Sequence, residues 1–93
     1  MPRAQTPQHA LGAAVKQRRQ ELGLTQETVA LGGGLHQRWV SNLENGWRNP
    51  SYGSLRRLAA ALDLSTSELI ARAEQIETQD APAEPASTSA RPQ

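Results

Sequence analysis

No cysteine occurs in this 93-residue chain, and its only two histidines, His9 and His36, stand far apart. A disulfide framework is therefore excluded, and so is a zinc finger, which needs a close set of Cys and His ligands. Aromatic residues are nearly as scarce: Trp39, Trp47 and Tyr52 are the three, all within fourteen positions. Apolar runs extend only a few residues, well short of the roughly 20 that cross a bilayer. The N-terminus has no charged-then-apolar signal pattern, so neither a membrane span nor secretion is supported and a cytoplasmic chain is expected. Carboxylates are scattered, Ser41 and His36 sit five apart on one helix, and no strand pattern could hold a nucleophile elbow, so catalysis is not expected. With 37% hydrophobic residues, one small domain can be built and a second is not expected.

The charge is present but unevenly placed. Residues 1–57 hold eight Lys/Arg against three Asp/Glu, a balance of +5, whereas residues 58–93 hold two against six, a balance of −4. The basic half suits a polyanionic partner if a groove-reading element lies within it; otherwise it is an ordinary solvated surface.

Residues 1–6 read as a short flexible arm. Thr6 and Pro7 suit the cap and first position of a helix that runs to about Glu21, with Leu11, Ala14, Val15 and Leu22 on one stripe and Gly23 at the exit. Thr25 caps a second helix that turns Val29 and Ala30 inward. Gly32, Gly33 and Gly34 are expected to end it early, because each glycine costs about 1 kcal/mol relative to Ala in a helix, and to leave a loose turn. A third helix begins near His36 or Gln37 and stops at Asn45-Gly46. Its period places Val40, Leu43 and Glu44 on one face and Arg38, Ser41, Asn42 and Asn45 on the other, with Gln37 beside them.

Ser51 caps a fourth helix with the stripe Leu55, Leu58, Ala59, Leu62. Ser65-Thr66-Ser67-Glu68 is a capping box opening a fifth, which carries Leu69, Ile70, Ala73 and Ile76. The folded domain is expected over 7–78. Residues 79–93 offer only Ala as an apolar residue and three prolines, too little to offset the entropy of ordering, so a disordered tail is expected. The three aromatics fall outside these stripes. They are left either to pack on a sugar-phosphate backbone or to cluster with one another and Arg48.

Several elements occur in register: Leu11-Gly12, Arg19 four residues before Gly23, LTQ at 24–26, Ala30 four before Gly34, VSNLENG at 40–46, NPS at 49–51 and LRRLAAALDLSTSEL at 55–69. In these, residues 11–70 resemble the phage-repressor and Cro-like helix-turn-helix family, also called the xenobiotic-response-element type of bacterial regulator. The resemblance implies an all-α, compact five-helix, lambda-repressor-like domain. It implies a sequence-specific regulator of transcription, a repressor that occupies an operator in double-stranded DNA; no cofactor is expected, and with no His, Cys or carboxylate cluster near His36 no metal is expected either. The chain departs from the pattern at Gly33, where an apolar residue is usual, and at His36, where Ser or Thr usually caps the third helix.

Carried over position by position, the resemblance makes Gln37, Arg38, Ser41 and Asn42 base-reading residues. Their chemistry suits this: Arg pairs bidentately with guanine O6 and N7, Gln and Asn with adenine N6 and N7, and Ser donates or accepts. Thr25 and Gln26 become phosphate contacts at a helix N-terminus, with Arg18, His36, Trp47 and Arg48 added around them. Arg19 and Glu44 become a structural pair that holds the reading helix. One domain covers about half a site, so a homodimer on a pseudo-palindromic operator is expected. The alternative is a protein-interaction module of the same fold, such as an antitoxin whose segment 74–93 wraps a partner. That segment has no apolar anchor beyond Ile76.

Overall fold

Four of the five helices start where the sequence supplies a hydroxyl to take up a free backbone N–H. In the computed structural model, which describes residues 6–80, α1 spans Pro7–Glu21, α2 Gln26–Gly33, α3 Gln37–Glu44, α4 Tyr52–Ala61 and α5 Thr66–Asp80. Thr6 Oγ1 accepts from His9 N at 3.1 Å, Thr25 Oγ1 from Thr28 N at 3.0 Å, and Ser51 Oγ from Ser54 N at 3.1 Å. At α5 the capping box is reciprocal. Glu68 N donates to Ser65 Oγ at 3.0 Å and Ser65 N to Glu68 Oε1 at 2.8 Å, each such cap being worth about 1 kcal/mol. The exception is α3, whose N-cap His36 forms no side-chain capping bond.

The glycine triplet behaves differently from the expectation. Gly32 and Gly33 stay helical, and only Gly34 leaves the helix, at φ 67°. There the left-handed backbone lets Leu35 N reach Ala30 O at 2.8 Å and Gly34 N reach Leu31 O at 3.3 Å, so the turn is closed by hydrogen bonds. The two helical glycines have a packing reason. A Cβ at Gly33 would lie 3.1 Å from the Arg57 carbonyl oxygen and 3.1 Å from Leu35 Cδ1, and one at Gly32 would touch Ala61 Cβ at 3.6 Å. Close approach of α2 to α4 offsets the propensity cost.

The apolar stripes meet in a single cluster: Leu11, Ala14 and Val15 of α1, Val29 and Ala30 of α2, Val40 and Leu43 of α3, Leu58, Ala59 and Leu62 at α4, and Leu69 and Ala73 of α5. α1 lies chiefly along α5, while α3 is held between α1 and α2. Two assignments from the pattern fail. Leu22 is 37% exposed, because it falls on the non-helical residue after α1, and Trp39, kept outside the core stripes, packs partly against the cluster. Leu24, Leu35 and Leu64 also plug the core from the connections, where no periodic pattern could mark them. α5 continues to Asp80, two residues past the expected boundary at 78. Of the expected arm at 1–6 and tail at 79–93, Thr6 caps α1 and residues 79–80 are helical, while residues 1–5 and 81–93 lie outside the described residues.

Gly12 sets how closely the α3 backbone approaches α1. A Cβ there would run into the Leu43 carbonyl oxygen and stand 2.7 Å from that of Glu44, both rigid backbone atoms. Gly12→Ala should therefore destabilise the domain by about 1–3 kcal/mol despite the better helix propensity of Ala. Denaturant unfolding checks this, and an unchanged or raised midpoint would contradict the close approach.

Candidate nucleic-acid interface

Six of the eight residues of α3 divide between an inward and an outward face. Val40 and Leu43 are wholly buried, while Gln37 and Arg38 are exposed and Ser41 and Asn42 half-exposed on the opposite side. None of the four outward side chains has a hydrogen bond or ion pair within the described residues, so their donors and acceptors face solvent. The sequence pattern had placed all of them on this face.

The end of α3 is fixed by a buried junction. The Glu44 carboxylate, with only 4% of its side chain exposed, accepts from Arg19 Nε at 2.7 Å through Oε2 and from Arg19 Nη2 at 3.0 Å through Oε1. Arg19 Nη1 donates to the Leu24 carbonyl at 2.9 Å, and Gln26 Nε2 donates to Glu44 Oε1 at 3.1 Å. The bond to Glu44 is the main reason the Arg19 pKa is raised, against the opposing effect of burial. Three helices thus meet at one carboxylate. The Arg19–Glu44 pair was legible in the sequence, but the attachment of Gln26 was not. Its amide, expected to face phosphate, has one donor already engaged, leaving one N–H and its carbonyl oxygen.

Around the start of α3, His36, Gln37, Arg38, Trp39 and Arg48 line an open notch of about 400 Å³. His36 and Arg48 are exposed, and Trp47, in the loop after α3, is 72% exposed with its backbone N–H donating to the Asn42 backbone carbonyl at 2.9 Å. Thr25 Oγ1 is occupied by its cap bond and by Thr28 Oγ1 at 2.9 Å. Arg18 leaves the proposed phosphate set: its Nε donates to the Leu62 carbonyl at 2.9 Å and its Nη1 to Glu21 Oε1 at 3.2 Å, so its fork braces α1 against α4. Tyr52, singled out in the sequence with the two tryptophans, is 69% exposed, and its neighbour is one the sequence reading missed: the Arg56 guanidinium, 5.9 Å from its ring centre. The i, i+4 spacing of a Tyr and an Arg in a helix was the available signal. Among the described residues no group of His, Cys, Asp and Glu could hold a metal, and no helix is long and apolar enough to cross a membrane.

Residues 15–69, more than half of the chain, match the helix-turn-helix family profile. The chain belongs to the Cro-like helix-turn-helix family of DNA-binding transcriptional regulators. It is similar to an uncharacterized HTH-type transcriptional regulator, y4dJ, of Sinorhizobium fredii. The two are 43% identical over 60 residues, which are 64% of this chain and 78% of the relative. Among solved helix-turn-helix structures, the clp gene regulator ClgR of Corynebacterium glutamicum superposes with a TM-score of 0.75 at 26% identity over 83% of both chains. The restriction-modification controller protein C.AhdI of Aeromonas hydrophila gives 0.64 at 38% identity, over 66% of this chain and 92% of its own. The controller protein C.Esp1396I, as a tetramer with its natural 35 base-pair operator, shares the fold at a TM-score of 0.73 and 23% identity, over 80% of this chain and 97% of its own.

Two expected outcomes follow from the ionic contacts of this helix-turn-helix domain. Glu44→Ala leaves the half-buried Arg19 without its anion and should cost about 3–5 kcal/mol, measurable by chemical unfolding; a loss below about 1 kcal/mol would mean the junction is not structural. The second concerns acid. Hydrogen bonds from Arg72 and then Arg18 hold the Glu21 carboxyl below its ordinary range, and the Ser65 backbone N–H does the same for Glu68. Carboxylates with depressed folded pKa values stabilise the domain above their unfolded pKa, and that stabilisation is lost as pH falls through the folded value. The melting-temperature gap between wild type and Glu21→Gln or Glu68→Gln should therefore be full at neutral pH and close in acid. A gap independent of pH would refute the assignment.

Proposed function

We propose that the protein is a repressor that reads an operator with α3 in the major groove of double-stranded DNA. The observation that carries this reading is the outward face of α3, where Gln37, Arg38, Ser41 and Asn42 stand with no partner within the described residues while Val40 and Leu43 fix the helix from behind. Each outward side chain has the donors or acceptors for a base edge. Phosphate contacts are assigned to Thr25 and Gln26 at the start of α2 and to His36, Trp47 and Arg48 beside α3. These groups position the helix without carrying sequence information.

An eight-residue helix is about 12 Å long and spans only a few base pairs. One domain then reads a half-site, and a homodimer on a pseudo-palindrome, with half-sites about one helical turn apart, supplies the rest. Ile70 and Ile76, half-exposed on α5, are the apolar residues we assign to that contact. Occupancy of the operator is the proposed mode of repression, and the C.Esp1396I complex with its operator supports DNA as the partner of this fold. RNA is disfavoured because the deep, narrow major groove of an A-form duplex does not admit a helix.

Selection of bound sequences from a random duplex pool tests the reading. Wild type should yield a two-fold related motif. Arg38→Ala should lose about 1–3 kcal/mol at one or two positions and relax preference there, whereas Gln26→Ala should weaken all sequences alike. An unchanged motif for Arg38→Ala, or an altered one for Gln26→Ala, would put the wrong residues in the groove.

A further inference from the structure

Trp39 is the residue of α3 that neither its two faces nor the Glu44 junction explains. Its ring packs partly against the core, yet it also lines the notch of about 400 Å³ together with His36, Gln37, Arg38 and Arg48. The three ion pairs among the described residues, Arg18–Glu21, Arg19–Glu44 and Arg72–Glu21, leave Arg38 and Arg48 without an anion. The notch thus combines one aromatic wall with two unpaired guanidinium groups and an imidazole. A ligand matching it has an apolar flat side and an adjacent negative charge.

We propose that this notch seats one deoxyribose-phosphate unit of the DNA backbone, with the sugar against Trp39 and the phosphate at Arg48 and His36. The proposal rests on the reading that α3 lies in the major groove, and it assigns to Trp39 a role distinct from base reading. The sugar is the fitting apolar partner because carbon 2′ of deoxyribose carries only hydrogens. A ribose hydroxyl pressed against the indole would lose water and gain no partner. Arg38, assigned above to the bases, lines the same notch, so the seat would set the distance between α3 and one strand. In this arrangement the aromatic ring discriminates deoxyribose from ribose and is indifferent to base identity.

The test uses the operator obtained by selection, with single ribonucleotide, methylphosphonate or thymine-to-uracil replacements scanned through one half-site. Against wild type, one ribonucleotide position should weaken binding roughly fivefold, within the range of a single contact coupling. That penalty should fall below about twofold in Trp39→Leu, whose selected motif stays the same. A neutral methylphosphonate at the adjoining phosphate should weaken wild type but leave Arg48→Ala unaffected. Equal ribonucleotide penalties in wild type and Trp39→Leu would overturn the seat. So would a uracil penalty that depends on Trp39, because the ring would then face a thymine methyl. Should Trp39→Leu fail to melt cooperatively, Trp39→Met, closer to the indole in volume, takes its place with the same two outcomes. If selection with wild type gives no motif, the groove reading itself fails and the seat falls with it.

Discussion

The Glu44 carboxylate is the point on which the arrangement of the first three helices depends. It receives two bonds from Arg19 of α1 and one from Gln26 of α2, and it belongs to the last turn of α3. Hydrophobic contact alone would leave α3 free to slide or roll, since dispersion and solvent exclusion are nearly non-directional. A planar fork meeting a carboxylate is directional, and here it works with Gly12, whose missing side chain allows the α1 backbone to lie against the Leu43 and Glu44 carbonyls. The ion pair therefore matters less for net stability, where desolvation opposes attraction, than for specifying one position of the helix.

The remainder of the domain is held by conventional means in a chain with few large side chains. Its seven largest fully buried residues are all Leu or Val. Such a core has no polar atoms to satisfy, and no buried side-chain nitrogen or oxygen lacks a partner among the described residues. The aromatic residues are kept for the surface around α3 and α4: Trp47 and Tyr52 stand largely exposed and Trp39 is divided between core and notch.

Helix number, order and caps were legible in the sequence because each rests on a local rule. Thr6, Thr25, Ser51 and the Ser65–Glu68 box bond where capping chemistry places them, and the 3.6-residue period found Val40, Leu43, Leu58 and Leu69. What was misread depends on contacts distant in sequence. Gly32 and Gly33 looked like helix breakers because their packing partners, Arg57 and Ala61, lie more than twenty residues away. Arg18 looked free for phosphate because its acceptor is the Leu62 carbonyl, a backbone atom that no pattern announces. Asp63, at φ 59°, follows the cap of α4 in the left-handed conformation usually left to glycine, with no glycine at that position to signal it. The outward residues of α3 were legible for the converse reason: their positions follow from the helical period and from no partner at all.

That independence of the outward face of α3, which we propose reads the operator, has an evolutionary consequence. Gln37, Arg38, Ser41 and Asn42 support no other part of the protein, so exchanging them perturbs folding by no more than an ordinary surface substitution, within about 0.5 kcal/mol. Duplicated copies of the gene can therefore drift toward different target sites without first acquiring compensating mutations, and divergence is constrained by the regulatory network instead of the fold. Gln26 is not free in this way. Tethered to Glu44, it links any change at the start of α2 to the placement of α3, and should be inherited together with Arg19 and Glu44 as one unit.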